Sequence, residues 1–296
     1  MGAASRYNDR EEIQKHYDVM SPYYESLWGE HIHHGYWIRG DETKEAAQSQ
    51  LVDHLAEAAG ISAGQRILDV GCGIGGSSIH LAQKYGATVT GINISPVQVG
   101  MASRRAARAD ANANFLLMNA ESIQIDEKFD VIWSVESISH YENPRKFFGG
   151  VGKLLKPSGI LAITDWFKKE HVAGSAEEEY IRPIEKSMMV ELHTMGEYGE
   201  WMKESGLKSS KNEILNKQCA KTWDVCLDII KDMSFWKLAA QNGAEFVTFL
   251  EGFRAMRAGF ASGNFIYGMM VANAGVSESA DGRSALKNVP AAMKTR

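Results

Sequence analysis

Three histidines fall within four positions of the stretch GEHIHHGYW, residues 29–37. They are His31, His33 and His34, and Tyr36 and Trp37 follow directly. Imidazoles at that density either ligate a metal, wall a binding site or simply pack. No cysteine or carboxylate cluster stands beside them at ligand spacing, so no metal centre is expected. A second stretch, LDVGCGIGG (68–76), sets Gly71, Gly73 and Gly76 in the G-x-G-x-x-G spacing of a nucleotide loop. Glycines there let the backbone approach a ligand, and the helix that follows offers free N–H groups. A third, ESISHY (136–141), holds Glu136 and His140, and an imidazole is suited to take a proton from a bound acceptor. In a fourth, Asp165 beside Trp166 is either a further acid–base group or the cap of the next helix.

The glycine loop alone does not name its nucleotide. Asp69, two residues before Gly71, would repel a pyrophosphate and suits a ligand carrying an amino group or a sulfonium. A nicotinamide site wants Asp or Glu at the end of the second strand, and this chain has Asn93 in GINISPVQ. Asparagine still hydrogen-bonds a ribose, so the second point is weaker than the first.

The elements that must position these residues follow from periodicity. Residues 1–60 hold no clear strand; DREEIQKHYDVM and KEAAQSQLVDHLAEAAG have helical spacing. Residues 61–167 alternate strand and helix. The strands are RILDV, ATVTGI, NFLLM, FDVIWSV and GILAITDWF. Ser95 and Pro96 start one intervening helix, and Asn143 and Pro144 another. Such alternation implies a parallel sheet covered on both faces, with ligands at the carboxyl ends of the strands. Residues 168–275 read as cap helices with a strand at SSKNEIL and a last strand at FIYGMMVA, and 276–296 as a polar tail. The expected division is a helical lid segment (1–60), a Rossmann-like core (61–167), cap helices with the strands that complete the core (168–275), and the tail.

Asp69, Gly71, Gly73 and Gly75 form D-x-G-x-G-x-G, which resembles the first motif of class I S-adenosylmethionine-dependent methyltransferases. GINISPVQ, NAESI, FDVIWSVESISHY and LLKPSGILAITDW resemble the tocopherol methyltransferase-like branch. The resemblance covers roughly residues 10–275 and implies an α/β fold with a seven-stranded, mostly parallel sheet. It implies that Asp69, Gly71, Cys72 and Gly73 line the amino-acid end of S-adenosyl-L-methionine. Asn93, Ile94 and Gln98 would serve the ribose, and Asn119, Ala120 and Glu121 the adenine. GEHIHHGYW would be a lid over the cofactor. Tyr17, Tyr24 and Tyr36 lie in the lid region, and Tyr24 and Tyr36 are taken as cofactor contacts, since an aromatic face favours a sulfonium. Members that methylate amines often carry E-x-x-E-H after the fourth strand. Glu136 and His140 keep that pattern, whereas Ser139 replaces the second carboxylate.

The expected activity is therefore methyl transfer to a small, largely apolar natural product of aromatic, alkaloid, polyketide or terpenoid type. His140 is the candidate base, with Glu136 and Asp165 beside it. Alternatives are a non-methylating cyclase or isomerase that keeps the cofactor, a methyltransferase for a small polar amine, a nicotinamide oxidoreductase and a non-catalytic regulator.

Composition agrees with an enzyme of this kind. The chain has 296 residues, 44% of them hydrophobic, enough for a packed core. A net charge of −5 with no basic block speaks against nucleic acid. No apolar run is long enough to span a membrane, and the first residues have no secretory character, so a cytoplasmic location is expected. The three cysteines are too few and scattered for a disulfide framework. A homodimer is compatible with all of this.

Overall fold

The computed structural model describes residues 7–231, 236 and 244–275. The expected tail at 276–296 lies outside the described residues. Seven strands form one sheet in the order β3-β2-β1-β4-β5-β7-β6. They are β1 (Arg66–Val70), β2 (Thr88–Asn93), β3 (Ala113–Leu117), β4 (Phe129–Val135), β5 (Leu155–Lys168), β6 (Leu207–Ile214) and β7 (Phe265–Ala274). Strands β1 to β5 run parallel, whereas β7 pairs antiparallel with both β5 and β6. Order reverses at β1, which pairs with β2 on one side and β4 on the other, with Asp69 opposite Gly91 and Trp133. The loops leaving β1 and β4 therefore emerge side by side, and open α/β sheets bind ligands at such a reversal.

The central strands are apolar because both faces are covered: Ile67, Leu68, Val70, Val131, Ile132 and Trp133 are all fully buried. Each such side chain contributes roughly 1.5–3 kcal/mol when removed from water. One face packs Leu51 and Leu55 of α2 (Lys44–Ala58) and Leu81 of α3 (Gly76–Tyr85). The other packs Phe147, Phe148 and Val151 of α5 (Pro144–Leu154). Between them in sequence, α4 (Pro96–Arg108) starts as read from the chain: the Ser95 hydroxyl accepts from the Gln98 N–H at 3.0 Å, and proline takes the first position.

Three boundaries differ from the sequence reading. The first helix, α1 (Arg10–Trp28), continues through Pro22 although proline usually ends a helix. Its second half packs Met20, Tyr23, Tyr24 and Leu27 against Ile229, Ile230 and Leu250, contacts from distant sequence that offset the missing hydrogen bond. β5 starts at Leu155 rather than Gly159, because Leu155 pairs with Phe129 before the strand bulges through Ser158 at φ 64°. β6 starts at Leu207, directly after Gly206 at φ 78° turns the chain out of the preceding helix.

Candidate active site

The loop after β1 is shaped for close approach. Gly71, Gly73 and Gly75 have φ of 77°, 53° and 83°, a region that favours glycine. At Gly71 a Cβ would stand 1.8 Å from the Ser137 Oγ, so the β1 and β4 loops meet with no room for a side chain. At Gly73 a Cβ would meet nothing within 4 Å, so this turn faces open space. That space is a cleft. Asp69, Gly71, Cys72, Gly73 and Ser77 line one end of it. Asn93, Ile94, Gln98, Met118, Asn119, Ala120 and Glu121 line the other.

Asp69 tests whether a cationic ligand fits. Its carboxylate is buried and accepts from the Ser78 hydroxyl at 2.5 Å. No ion pair reaches it among the described residues. Burial pushes its pKa up to about 7 against the opposing Ser78 hydrogen bond. A positively charged group in the cleft would hold it ionised, whereas a pyrophosphate would not. The polar residues at the other end suit a nucleoside. Asn93 and Gln98 bond each other at 2.8 Å, and Asn93 also accepts from the Ser95 N–H, so the pair is preorganised. The Asn119 side-chain oxygen already accepts from the Glu121 N–H at 2.9 Å and keeps one lone pair for a further donor.

The loop after β4 carries the second group of residues. Glu136 adopts a left-handed φ of 49°, a strained turn for a side chain of its size. Its buried Oε1 accepts from the His34 N–H at 2.7 Å, His34 Nδ1 at 3.0 Å and the Tyr267 hydroxyl at 2.8 Å. Burial alone would raise its pKa, but the attraction and hydrogen bonds of His34 hold it below the ordinary carboxylate range. Glu136 thus ties the 29–37 stretch to the sheet.

His140 is held at both ring nitrogens: Nδ1 donates to the Met189 carbonyl at 3.1 Å, and Nε2 accepts from the Tyr17 hydroxyl at 3.1 Å. A carbonyl can only accept, which fixes the tautomer. Burial pushes the pKa of His140 down to about 4, so the ring is neutral near pH 7. Burial, with the charge of Glu136, raises that of Tyr17, which keeps its proton.

The three histidines of the 29–37 stretch are all buried and do different things. His33 and His31 bond each other at 3.0 Å, and His33 Nδ1 reaches the His34 carbonyl at 2.8 Å. Burial pushes both pKa values down. Among the described residues, no three His, Cys, Asp or Glu side chains are grouped to hold a metal ion. The Gln48 side-chain N–H donates to the His31 carbonyl at 2.7 Å, which pins the stretch to α2.

Beyond the cleft lies a second, larger cavity, lined by Met20, Tyr24, His34, Trp166, Met188, Met189, Trp223, Phe253 and Met256 among others. Tyr17, Ile32, Glu136 and His140 line both spaces and form the wall between them.

The structure brings together Asp69, Gly71, Cys72, Gly73, Asn93, Ile94, Gln98, Asn119, Ala120 and Glu121 at the cleft, and Glu136 and His140 at its inner wall. It corrects three placements. Tyr24 lines the larger cavity rather than the cleft, with its hydroxyl 3.0 Å from His16 Nε2. Tyr36 lines neither: its ring stacks on His54 at 4.4 Å, because the Tyr36 N–H is bonded to the Ala47 carbonyl and turns the residue outward over α2. Asp165 also lines neither. Fully buried behind the wall, it accepts from the Ser139 N–H and hydroxyl, the Trp166 N–H and the Tyr198 hydroxyl at 2.8–3.3 Å. It positions the β4 loop, and burial pushes its pKa up to about 7. Residues not read from the sequence include Trp223 and Tyr267. A lone tyrosine hydroxyl inside the apolar last strand was the available signal for the latter, since a buried hydroxyl needs a partner.

The comparisons with known proteins agree with this geometry. Residues 4–251 match the family described as mycolic acid cyclopropane synthetase. A 27-O-demethylrifamycin SV methyltransferase from Amycolatopsis mediterranei is 33% identical over 82% of this chain and 91% of its own. A chloroplastic tocopherol O-methyltransferase from Arabidopsis thaliana is 32% identical over 61% of this chain and 55% of its own. Among solved structures, the [4+2]-cyclase SpnF superposes with a TM-score of 0.80 over 93% of this chain and all of that one, at 22% identity, a likeness of fold. With its motif loop, sheet order and cation-suited cleft in place, the chain belongs to the mycolic acid cyclopropane synthetase family and is a class I S-adenosylmethionine-dependent methyltransferase.

Proposed function

We propose that this enzyme methylates a hydroxyl of a small, largely apolar metabolite of natural-product type, with His140 as the proton acceptor. The observation that carries the reading is the shared wall: a large, mostly apolar cavity meets the cofactor cleft at Tyr17, Ile32, Glu136 and His140. When bound, S-adenosyl-L-methionine supplies an electrophilic methyl group carried on a sulfonium. Asp69, Gly71 and Gly73 hold its amino-acid end, and Asn93, Gln98, Asn119 and Glu121 its nucleoside end.

The rest of the work falls to the wall and the lid. α1 and the lid stretch close over the cavity with Met20, Tyr24, Leu27 and Ile32, which keeps water from the reacting centre. Positioning of two reactants in one cavity removes several kcal/mol of barrier, about 7–11 at best. A hydroxyl must lose its proton as it is methylated. Neutral His140 has its Nε2 lone pair directed at the Tyr17 hydroxyl, so a proton taken by Tyr17 oxygen from the acceptor is matched by one passed to His140. The low pKa of His140 makes this proton brief, and His140 releases it to solvent as product leaves, which restores the neutral ring. The replacement of a carboxylate by Ser139, whose hydroxyl is spent on Asp165, favours a neutral acceptor over a polar amine.

No helix among the described residues is long and apolar enough to cross a membrane. The three cysteines are free and buried, which supports work in a reducing cytoplasm.

The test is incubation with methyl-labelled S-adenosylmethionine and a panel of phenols, polyketide alcohols and amines, read by mass spectrometry, with calorimetry for cofactor affinity. Transfer to oxygen on an apolar acceptor is expected. Transfer only to polar amines, or tight cofactor binding without transfer to any acceptor, overturns the proposal, and the latter result points to a cyclase.

A further inference from the structure

Among the described residues, four side chains other than glycine sit on a left-handed backbone: Asp110, Glu136, Ser158 and Met189. Asp110 follows the end of α4 and Ser158 stands at the β5 bulge, and neither lines a cavity. Glu136 and Met189 both line the larger cavity, and they bracket His140. Glu136 precedes His140 by one short turn of chain, and the Met189 carbonyl accepts from His140 Nδ1 at 3.1 Å.

Met189 ends the helix Arg182–Met188 at φ 53° and ψ 48°, a position that usually goes to glycine. The turn is fixed by backbone bonds. The Met189 and Val190 N–H groups donate to the Glu185 carbonyl, the Glu191 N–H to the Ser139 carbonyl at 2.9 Å, and the Leu192 N–H to the Glu185 carboxylate at 3.0 Å. None of these bonds uses the Met189 side chain, so glycine would make all of them without strain. The turn therefore does not explain the methionine. The cavity does: the side chain is half-buried and lines the acceptor space beside His140. Strained residues persist where their surroundings over-determine them, and they gather at ligand sites. A thioether adapts to an apolar ligand and sits well at the edge of an aromatic ring.

We infer that Met189 is a specificity-determining residue for the acceptor. Its side chain bounds the space beside the reacting hydroxyl, and the left-handed turn aims it there while its carbonyl holds His140. This deepens the proposed function, on which it rests: the acceptor that fits is an aromatic or similarly flat molecule with no bulky group next to the hydroxyl that is methylated.

The test uses two isomers that differ only in where their bulk stands, 4-phenylphenol and 2-phenylphenol. Each is titrated by calorimetry into the full-length protein saturated with S-adenosylhomocysteine. The wild type should bind 4-phenylphenol about tenfold more tightly, the discrimination that a few atoms of a pocket wall supply. Met189→Gly and Met189→Ala should bring the two isomers within about twofold of each other, with affinity for S-adenosylhomocysteine unchanged. Met189→Gly, freed of strain, should melt no lower than the wild type and about 2–4 °C above Met189→Ala, which keeps the strain. A side chain retained only for packing would give the reverse: both variants would melt below the wild type and the preference would survive in both. That result overturns the inference, as does a wild type that binds the isomers equally or binds neither. Where Met189→Ala does not fold, Met189→Gly alone carries the readout. The expected preference and its loss in the variants, without methyl transfer to 4-phenylphenol, uphold the inference and fall on the proposed reaction alone.

Discussion

His140 Nδ1 stands 3.1 Å from the carbonyl of Met189, a residue itself in the left-handed region at φ 53°. That one bond decides which nitrogen of His140 faces Tyr17. Replacement by glutamine keeps a donor for Met189 and an acceptor for Tyr17 but removes the base. His140→Gln should lower kcat by about 10²–10⁴-fold and leave cofactor affinity near that of the wild type. Single-turnover rates with labelled cofactor, set beside calorimetry, check this. A kcat within threefold of the wild type would remove His140 from the chemistry.

The same variant carries a stability prediction. Burial lowers the pKa of folded His140 to about 4, below the ordinary 6.5. Between those values the unfolded chain binds more protons than the folded one, so acid favours unfolding. The contribution of the neutral ring is fully present above pH 6.5 and lost as pH falls towards 4. Asp69 and Asp165, raised to about 7, work in the opposite direction, so the wild-type curve alone mixes the signals. Comparison isolates one group: wild type should lose stability relative to His140→Gln between pH 6.5 and 4. Urea midpoints across that range measure it, and parallel curves would refute it.

Gly71→Ala should disable the cleft. Its Cβ would fall 1.8 Å from the Ser137 Oγ at a φ of 77°, which combines a clash with backbone strain of about 1–3 kcal/mol. Cofactor affinity should drop by more than about tenfold, with a lower melting temperature. Cofactor binding unchanged in calorimetry would show that the loop has another way to relax.

Asp165 should matter to folding rather than to proton transfer. In Asp165→Asn one acceptor oxygen becomes an NH₂ facing the donors of Ser139 and Tyr198. Donors left without an acceptor cost about 1–3 kcal/mol. Denaturation should show that loss, while the pH dependence of kcat keeps its shape. A displaced pH profile with unchanged stability would return Asp165 to the chemistry.

Tyr36→Phe serves as the contrasting case. The ring stacks on His54 away from both cavities. Cofactor and acceptor affinities should stay within about twofold, and any larger change would contradict the placement.

The centre of the sheet was legible in the sequence because β1 and β4 are buried on both faces and so read as mostly apolar runs, RILDV and FDVIWSV. The glycine loop and the helix starts beside the cleft were legible too, since glycine spacing and capping residues are local signals. What could not be read depends on long-range packing. Nothing around Tyr36 in the chain says that it turns onto His54 while His34, two residues earlier, turns inward to Glu136. Nor does the strand patterning of AITDW tell an acid at the mouth of a strand from one sealed behind Ser139 and Tyr198, as Asp165 is. The helix through Pro22 depends on partners two hundred residues away.

Tyr17, Ile32, Glu136 and His140 belong to both cavities at once. Two ligands that press on opposite sides of one wall are energetically linked. Whatever the first occupant does to that wall alters the affinity of the second, and the coupling runs equally in both directions. On the proposed function, the occupant of either compartment therefore sets the affinity of the other, with no order of filling imposed by the wall itself.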